Sequence, residues 1–274
     1  MTVQAEWVQF HSGGAVVPAY MARPARVSRP IPAILVIQEI WGPDEHIQDV
    51  ARRFGAAGYV AVAPDLYARG GRRPSALAAD RIEAVKAFLD SMPPAAWSNP
   101  SERDAALARL PEPQRRQVGE TLGLLFSPNR PLEQYTADLR AAVQYLRGHA
   151  ASQGQRVGSV GFCMGGALSA LLACSEPALS AAVIFYGSAP PPERIAGIRC
   201  PILGFYGGDD PRITQGVPAF AEALHAAGKA FESHIYPGAP HAFFNDTRGS
   251  YRVDPSREAW ARTLAFFAQH LAAA

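Results

Sequence analysis

Six short apolar runs, alternating with longer segments of helical periodicity, constrain the fold of this chain more than any other feature of its sequence. Runs such as Ala-Ile-Leu-Val-Ile at 33–37 are apolar at every position, which is typical of parallel strands that helices cover on both faces. Strands are predicted at 33–38, 59–66, 156–162, 181–187, 201–207 and 231–237, and helices at 45–57, 132–147, 167–174, 219–227 and 256–271. This alternation predicts a three-layer α/β sandwich with a mainly parallel central sheet and helices on both faces.

The segment from about 70 to 131 interrupts this alternation between a predicted strand and the helix expected to follow it. It is rich in proline, alanine and arginine, contains no convincing strand and has two predicted helices. Loops after strand ends line the sites of α/β folds, so one interpretation is a lid or a wall of a substrate pocket. The other interpretation is helices packed on one edge of the sheet. In either case, residues 1–274 are expected to form a single domain.

Charge and cysteine content argue against several classes of function. The 26 basic and 24 acidic residues give a formal net charge of +2, without a basic run interleaved with aromatics, so nucleic acid is not an expected partner. The 3 cysteines are odd in number and widely spaced, which argues against a disulfide framework and a Cys-x-x-Cys metal site. No apolar run approaches the roughly 18 residues of a membrane span, and residues 1–10 lack a secretory signal pattern. The sequence therefore predicts a cytoplasmic protein that binds neither a metal nor a membrane.

The sharpest local feature is Gly-Phe-Cys-Met-Gly-Gly at 161–166, directly after one predicted strand and directly before a helix. A nucleophile between glycines in this context forms a nucleophile elbow, whose turn strains the central residue and leaves no room for side chains beside it. The N–H groups and dipole of the following helix would favour a thiolate at Cys163. The alternative interpretation is a small buried cysteine whose glycine neighbours only permit close packing.

Two further side chains complete the order required of an α/β-hydrolase, which is nucleophile, acid and histidine along the chain. Asp210 and His241 follow the last two predicted strands. Asp210 would orient His241, and His241 would accept the proton of Cys163. Asp209 competes for the role of the acid, and separately an aspartate here could cap a helix and a histidine could be a surface residue. Together, their placement predicts a triad in a three-layer α/β-hydrolase sandwich.

The loop at 38–42, Gln-Glu-Ile-Trp-Gly, directly follows the first predicted strand. In hydrolases of this architecture such a loop supplies one backbone donor to the oxyanion, and the residue after the nucleophile supplies the other. Ile40 and Met164 are therefore the predicted donors. Glu39 is unusual in such a loop, because its carboxylate would oppose both a thiolate and an oxyanion; the alternative is a solvated acid.

Five motifs lie in register along nearly the whole chain: Gln-Glu-Ile-Trp-Gly at 38–42, Pro-Asp-Leu-Tyr-Ala-Arg at 64–69, Gly-Phe-Cys-Met-Gly-Gly at 161–166, Tyr-Gly-Gly-Asp-Asp at 206–210 and Pro-His-Ala-Phe at 240–243. In these motifs the chain resembles the dienelactone hydrolase family. The resemblance implies a triad of Cys163, His241 and Asp210, and a Glu39 that engages the resting thiol and releases it when substrate binds. The implied reaction is hydrolysis of a small enol-lactone to an oxo-acid through a thiol acyl-enzyme, with neither metal nor organic cofactor.

The same resemblance implies that arginines hold the carboxylate of the substrate, and Arg69 matches the first of them. A guanidinium binds a planar carboxylate through paired hydrogen bonds. At the position of the second arginine this chain carries Asn245, with Arg248 one helical turn beyond. Tyr186 and Trp41 are expected to line the pocket, or else to pack in the core as aromatic residues beside strand ends often do.

Three hypotheses of function follow. The leading one is a cysteine-dependent hydrolase of a small carboxylate-bearing lactone or ester, and the second is a carboxylesterase or acyl-transfer enzyme of broader specificity. The third is a non-catalytic thiol sensor or ligand-binding relative with a redox-responsive Cys163, which would need neither Asp210 nor His241. The expected partner is a small-molecule substrate, and the expected state is a monomer or a homodimer.

Overall fold

One eight-stranded sheet runs through the protein, for which a computed structural model describes residues 2–93 and 99–272. Across the sheet the strands follow the order β1 (Val3–Ser12), β2 (Ala15–Pro24), β4 (Val60–Pro64), β3 (Ala33–Ile37), β5 (Val157–Phe162), β6 (Leu179–Phe185), β7 (Ile202–Gly207) and β8 (Phe231–Tyr236). Strands β3 to β8 are mutually parallel, whereas β2 pairs antiparallel with both β4 and β1. The mainly parallel sheet predicted from the apolar runs is thus confirmed, and the carboxyl ends of six strands share one edge.

The hairpin of β1 and β2 at one end of the strand order is absent from the strands predicted from sequence. Most side chains of β1 are exposed or half-buried, so this strand lacks a continuous apolar run. The sequence feature that marks the hairpin is its turn. Gly13 and Gly14 form a two-residue turn with φ of 52° and 80°, which glycine adopts without strain. Turn chemistry, rather than apolar runs, therefore identifies this hairpin.

Helices cover both faces of the sheet: α1 (Glu45–Ala56) and α9 (Val253–Leu271) on one, and α5 (Leu132–Gly148), α6 (Met164–Ser175) and α8 (Val217–Ala226) on the other. Ile34 and Val36 of β3 pack into the core that α1 and α9 share. Leu35, between them, points to the opposite face and joins the second core, with α5, α6 and α8. These two cores confirm the predicted three-layer α/β sandwich.

Within the described residues, the segment at 70–131 contains three α-helices, α2 (Ala79–Asp90), α3 (Pro100–Leu107) and α4 (Gln114–Leu125), one more than the two predicted. Helices α2 and α4 bury apolar side chains, whereas α3 buries none and therefore leaves no apolar periodicity in the sequence. Lys86 of α2 forms an ion pair of 2.8 Å with Asp44, at the start of α1. Residues 94–98 of this segment lie outside the described residues.

Within the described residues, no helix combines the length and the apolar character needed to cross a bilayer. The same part of the chain contains no group of three or more His, Cys, Asp or Glu residues arranged to hold a metal ion. All three cysteines are free thiols.

Candidate active site

Cys163 lies between β5 and α6, with backbone angles φ 55° and ψ −114°. A Cβ added at Gly161 would overlap the carbonyl oxygen of Gly165, and a Cβ added at Gly165 would overlap the carbonyl oxygen of Ile37. Both positions therefore require glycine, as expected for a nucleophile elbow. Helix α6 begins at Met164, three residues earlier than predicted, so its N-terminus and the positive end of its dipole lie directly at Cys163.

Backbone strain is concentrated around Cys163. The non-glycine residues with a left-handed φ in the described chain are Cys163 (55°), Tyr186 (40°) and Ala242 (59°). Tyr186 follows β6 and lies edge-on to His241, with ring centroids 5.1 Å apart, and Ala242 comes directly after His241. Such strain costs about 1–3 kcal/mol per residue and clusters at functional sites. This cluster lies at the carboxyl ends of β5, β6 and β8.

Asp210 and His241 form a hydrogen bond of 2.5 Å between Oδ2 and Nδ1. Asp210 immediately precedes the short helix α7 (Pro211–Thr214), but its carboxylate does not cap that helix. Asp210 is buried, whereas Asp209 is exposed. The geometry therefore favours Asp210 over Asp209 as the partner of His241, and over the alternative of a helix cap.

The surroundings of His241 stabilise its protonated form. Burial disfavours the imidazolium, but the charge at Cys163 and the hydrogen bonds to Asp210 and Cys163 outweigh burial and raise the pKa of His241 to about 10. The imidazole is thus bonded to both side chains with which the sequence predicts it to act. An imidazolium beside a cysteine stabilises the thiolate and can later donate a proton to a leaving group.

We expect the protein to lose stability as the pH rises from 6.5 towards about 10, because the pKa of His241 is raised over this range by folding. Below pH 6.5 the imidazole is protonated in both states, so the contribution is fully present; above it, the unfolded chain loses its proton first. Urea unfolding of the wild type and of His241→Gln, between about pH 6 and pH 9, measures this difference. A difference in unfolding free energy that is constant with pH would contradict it.

Glu39 is buried, with an exposed fraction of 2%. Its Oε1 accepts a hydrogen bond of 3.3 Å from the Tyr186 hydroxyl, and its Oε2 accepts one of 2.7 Å from Asn245 Nδ2. Burial, followed by the charges of Glu39 and Cys163, raises the pKa of Tyr186 well above its usual value, so that this hydroxyl stays a donor. The alternative of a solvated acid is wrong, and the donors that hold the carboxylate are neutral groups.

Tyr186 and Asn245 are both fully buried, with exposed fractions of 0%. The sequence predicted both as substrate contacts, with core packing as the alternative for Tyr186. In the structure both contact Glu39, and contact with substrate stays a prediction. The oxygen of the Asn245 amide accepts from both the N–H and the hydroxyl of Thr247, at 3.1 and 2.6 Å, which fixes the direction of its NH₂ group. Asn245 is thus a buried residue whose amide orients the Glu39 carboxylate.

Trp41, the other aromatic residue predicted to line the pocket or pack in the core, lies beside two cations. Its ring is buried and lies near two cations, Lys86 Nζ at 5.8 Å and the Arg248 guanidinium at 5.4 Å from the ring centroid. Arg248 in turn forms an ion pair of 2.9 Å with Asp90 at the end of α2. Trp41 also lines a cavity of about 370 Å³. Its contacts with Lys86 and Arg248 connect the loop after β3 to α2.

One predicted oxyanion donor belongs to the elbow and the other to the loop after β3, which packs against Gly165 of the elbow through the Gln38 carbonyl oxygen. Met164 is the first residue of α6, where N–H groups have no acceptor within the helix. Ile40 lies in the turn closed by a bridge between Glu39 and Gly42. The Tyr67 hydroxyl donates a hydrogen bond of 2.9 Å to the Ile40 carbonyl oxygen, a contact that sequence reasoning missed although Tyr67 lies within a motif.

A cavity of about 500 Å³ opens at the carboxyl end of β4, between the loop that follows this strand and the start of α5. Its charged lining residues are Arg69, Arg72, Arg73 and Asp138. Arg69 pairs with the buried Asp138, and the Arg69 side chain remains 30% exposed. Cys163 is not part of this lining, but Tyr67 is, and Tyr67 interacts electrostatically with Cys163. Three arginines against one aspartate leave positive charge in excess in this cavity, and Tyr67 connects its lining to the loop that carries Ile40.

The fold and the site together define a class of protein. A mainly parallel sheet with a nucleophile elbow after β5, an aspartate after β7 and a histidine after β8 is the arrangement of an α/β-hydrolase. The family model described as "Dienelactone hydrolase family" matches residues 17–271, and the chain belongs to that family. It is accordingly an enzyme of the hydrolase class.

Relatives along the whole chain agree with this assignment. A Saccharolobus solfataricus protein named "Putative carboxymethylenebutenolidase" is 38% identical over 259 residues, which cover 94% of this chain and 95% of that protein. A Bradyrhizobium protein named "Probable 2-oxo-3-(5-oxofuran-2-ylidene)propanoate lactonase" is 30% identical over 98% of this chain and 96% of its own length. The crystal structure titled "Putative Dienelactone Hydrolase" from Klebsiella pneumoniae superposes with a TM-score of 0.75 at 30% identity, covering 98% of this chain and 100% of that one. The predicted family and fold are thereby confirmed.

Proposed function

We propose that this enzyme hydrolyses small carboxylate-bearing lactones or esters through a thiol acyl-enzyme on Cys163. The observation that carries the proposal is the chain of contacts from Cys163 to His241 and from His241 Nδ1 to Asp210 Oδ2, the latter at 2.5 Å. A strained nucleophile, a histidine and a buried aspartate in hydrogen-bonded series constitute the machinery of covalent acyl transfer. A non-catalytic thiol sensor would require neither the histidine nor the aspartate.

The reaction begins with attack of the Cys163 thiolate on the ester carbonyl carbon, which forms a C–S bond while the C=O electrons move onto oxygen. The N–H groups of Ile40 and Met164 stabilise this oxyanion. The ester C–O bond then breaks, and the His241 imidazolium gives its proton to the departing oxygen. His241 next takes a proton from the water that attacks the thioester, and cleavage of the C–S bond restores the thiolate. With a lactone, the departing oxygen stays in the acyl chain.

Glu39 is proposed to limit thiolate formation until substrate binds. Its carboxylate is buried and accepts a hydrogen bond from the Tyr186 hydroxyl, and the Tyr186 ring lies 5.1 Å from that of His241, so the carboxylate lies in the same buried region as the proposed triad. Two negative charges in such a region repel each other strongly. Because Tyr186 and Asn245 donate only neutral hydrogen bonds, they leave the charge of Glu39 uncompensated.

The positively charged cavity supports a substrate with a carboxylate. The Arg69 side chain stays 30% exposed although it pairs with Asp138, and Arg73 lines the same cavity while bound to Asp65. Carboxylates are bound most strongly by such charge-assisted hydrogen bonds. The relative named as a propanoate lactonase carries both a lactone and a carboxylate in the name of its substrate, which agrees with this choice.

Replacing Arg69 by alanine is expected to lower kcat/KM for an ester bearing a carboxylate by about 10- to 100-fold, which corresponds to the loss of one charge-assisted hydrogen bond. A neutral ester of matched size and leaving group is expected to change less than about twofold, because it makes no such bond. The measurement is the ratio of the two kcat/KM values, which is insensitive to partial unfolding. Arg116→Ala, at an exposed position of α4 outside the cavity, is the matched control. An equal loss for both esters would instead indicate an esterase of broader specificity.

A further inference from the structure

Tyr67 connects the loop that follows β4 to the loop that follows β3. Its ring is buried, and its hydroxyl donates a hydrogen bond of 2.9 Å to the carbonyl oxygen of Ile40. Ile40 is the residue whose N–H is the proposed donor to the oxyanion. Tyr67 itself comes from Pro-Asp-Leu-Tyr-Ala-Arg at 64–69, a motif in which the proposed function uses only the arginine.

Two further contacts fix the same pair of loops. The N–H of Leu66 donates a hydrogen bond of 3.0 Å to the side-chain oxygen of Gln38. Gly42 has a φ of 82°, and a Cβ added there would overlap the guanidinium of Arg73, so Arg73 packs directly on the turn. The turn that carries Ile40 is thus held from one side by three residues of the loop after β4.

The Tyr67 hydroxyl is suited to act as a permanent donor. Burial, followed by the neighbouring Tyr135 and, more weakly, Cys163, raises the pKa of Tyr67 far above its usual value. The hydroxyl therefore keeps its proton wherever the enzyme can be assayed.

We propose that Tyr67 is a positioning residue for the oxyanion hole, and this inference rests on the proposed function. A hydrogen bond to the Ile40 carbonyl fixes the peptide on one side of residue 40 and thereby limits rotation of the peptide that carries its N–H. Oxyanion donors stabilise the transition state only when they are held in place before the reaction, because reorganisation otherwise consumes their benefit. Tyr67 thus acts on the rate of the acyl-transfer step and not on the thiol itself.

The test compares Tyr67→Phe with the wild type in two reactions of Cys163. Hydrolysis of an activated ester develops an oxyanion, and kcat is expected to fall by about 10- to 100-fold with KM changed less than about twofold. Alkylation of Cys163 by iodoacetamide is a displacement at a tetrahedral carbon and develops no oxyanion, so its rate is expected to stay within about twofold. Tyr145→Phe is the matched control, since it removes the hydroxyl of a half-buried tyrosine that packs on Phe10 and lies outside the cavity, and both rates are expected to stay unchanged.

Two results would overturn the inference: an unchanged kcat in Tyr67→Phe, or an equal loss in hydrolysis and alkylation, which would mean that the mutation disturbs the thiol. If Tyr67→Phe does not fold, Gly42→Ala displaces the same turn from the Arg73 side, and the same selective loss of kcat is expected. Failure of the proposed function is distinguishable, because the wild type would then keep its esterase activity after complete alkylation of Cys163. That outcome does not depend on Tyr67.

Discussion

Replacing Cys163 by alanine is expected to lower kcat for ester hydrolysis by about 10⁴- to 10⁶-fold, the range measured when the nucleophile of a triad is removed. The proposed route has no substitute for the sulfur, because the acyl group is carried on a C–S bond. The fold should survive, since alanine differs from cysteine only by the sulfur atom and meets the same steric limits at a φ of 55°. The measurement is kcat together with the urea midpoint of both proteins.

Cys174 provides the matched control because it lies on the same helix, α6. Burial raises the pKa of Cys174 to about 11, so this thiol does not ionise near neutral pH. Cys174→Ala should therefore retain full activity, and acid quenching of the wild type during turnover should leave the acyl mass on the Cys163 peptide alone. Activity that persists in Cys163→Ala would exclude the thiol acyl-enzyme and would return attention to a hydroxyl nucleophile.

The positions of Cys163, Asp210 and His241 were predictable because each follows a strand of a parallel sheet. The carboxyl ends of parallel strands meet at one edge, so residues distant in sequence converge there without any knowledge of side-chain packing. The glycines at 161 and 165 were predictable for the same reason, since the tight turn between β5 and α6 leaves no space for a Cβ. Main-chain geometry alone accounts for these features.

The partners of Glu39 could not be predicted in this way. Tyr186 is 147 residues away and Asn245 is 206 residues away, and both meet Glu39 only through their side-chain conformations in the folded core. The family resemblance directs attention to Asn245 as a departure from arginine, but an isolated sequence does not say whether an amide at that position faces a cavity or a carboxylate. Its complete burial and the second anchor at Thr247 favour the carboxylate.

The contacts of the loops after β3 and β4 were missed for a related reason. Motif reasoning assigns one function to each polar side chain, and Tyr67 stands beside Arg69, whose charge suggests a role more readily. The bond from Tyr67 to a main-chain carbonyl leaves no signature in the sequence, because any residue at position 40 offers that acceptor. Specific side chains thus support the site through backbone groups that sequence patterns do not identify.

Replacing Asp210 by asparagine is expected to lower kcat by about 10³- to 10⁴-fold, the second largest effect after loss of the nucleophile. The carboxylate accepts the Nδ1–H proton at 2.5 Å and so leaves the other ring nitrogen of His241 to interact with Cys163. An asparagine can turn its NH₂ group towards Nδ1 and thereby stabilise the opposite tautomer, in which the nitrogen beside Cys163 already carries a proton. His241 is then neutral, so it neither stabilises the thiolate as an imidazolium nor has a free nitrogen to accept the proton of Cys163.

The same substitution at Asp209 separates a specific role from a general change of charge. Asp209→Asn removes one carboxylate from the neighbouring position, which is exposed, and it is expected to keep kcat within about twofold because surface changes are usually small. Loss of the Asp210 carboxylate should also lower the pKa of His241, since its hydrogen bond and charge contribute to raising it to about 10. A titration of His241 by nuclear magnetic resonance in both variants tests this step, and a large loss of activity in Asp209→Asn alone would show that the triad acid is misassigned. The two residues are adjacent and differ mainly in burial and in their contact with His241. A loss of kcat in Asp210→Asn but not in Asp209→Asn would therefore be due to the missing hydrogen bond to His241.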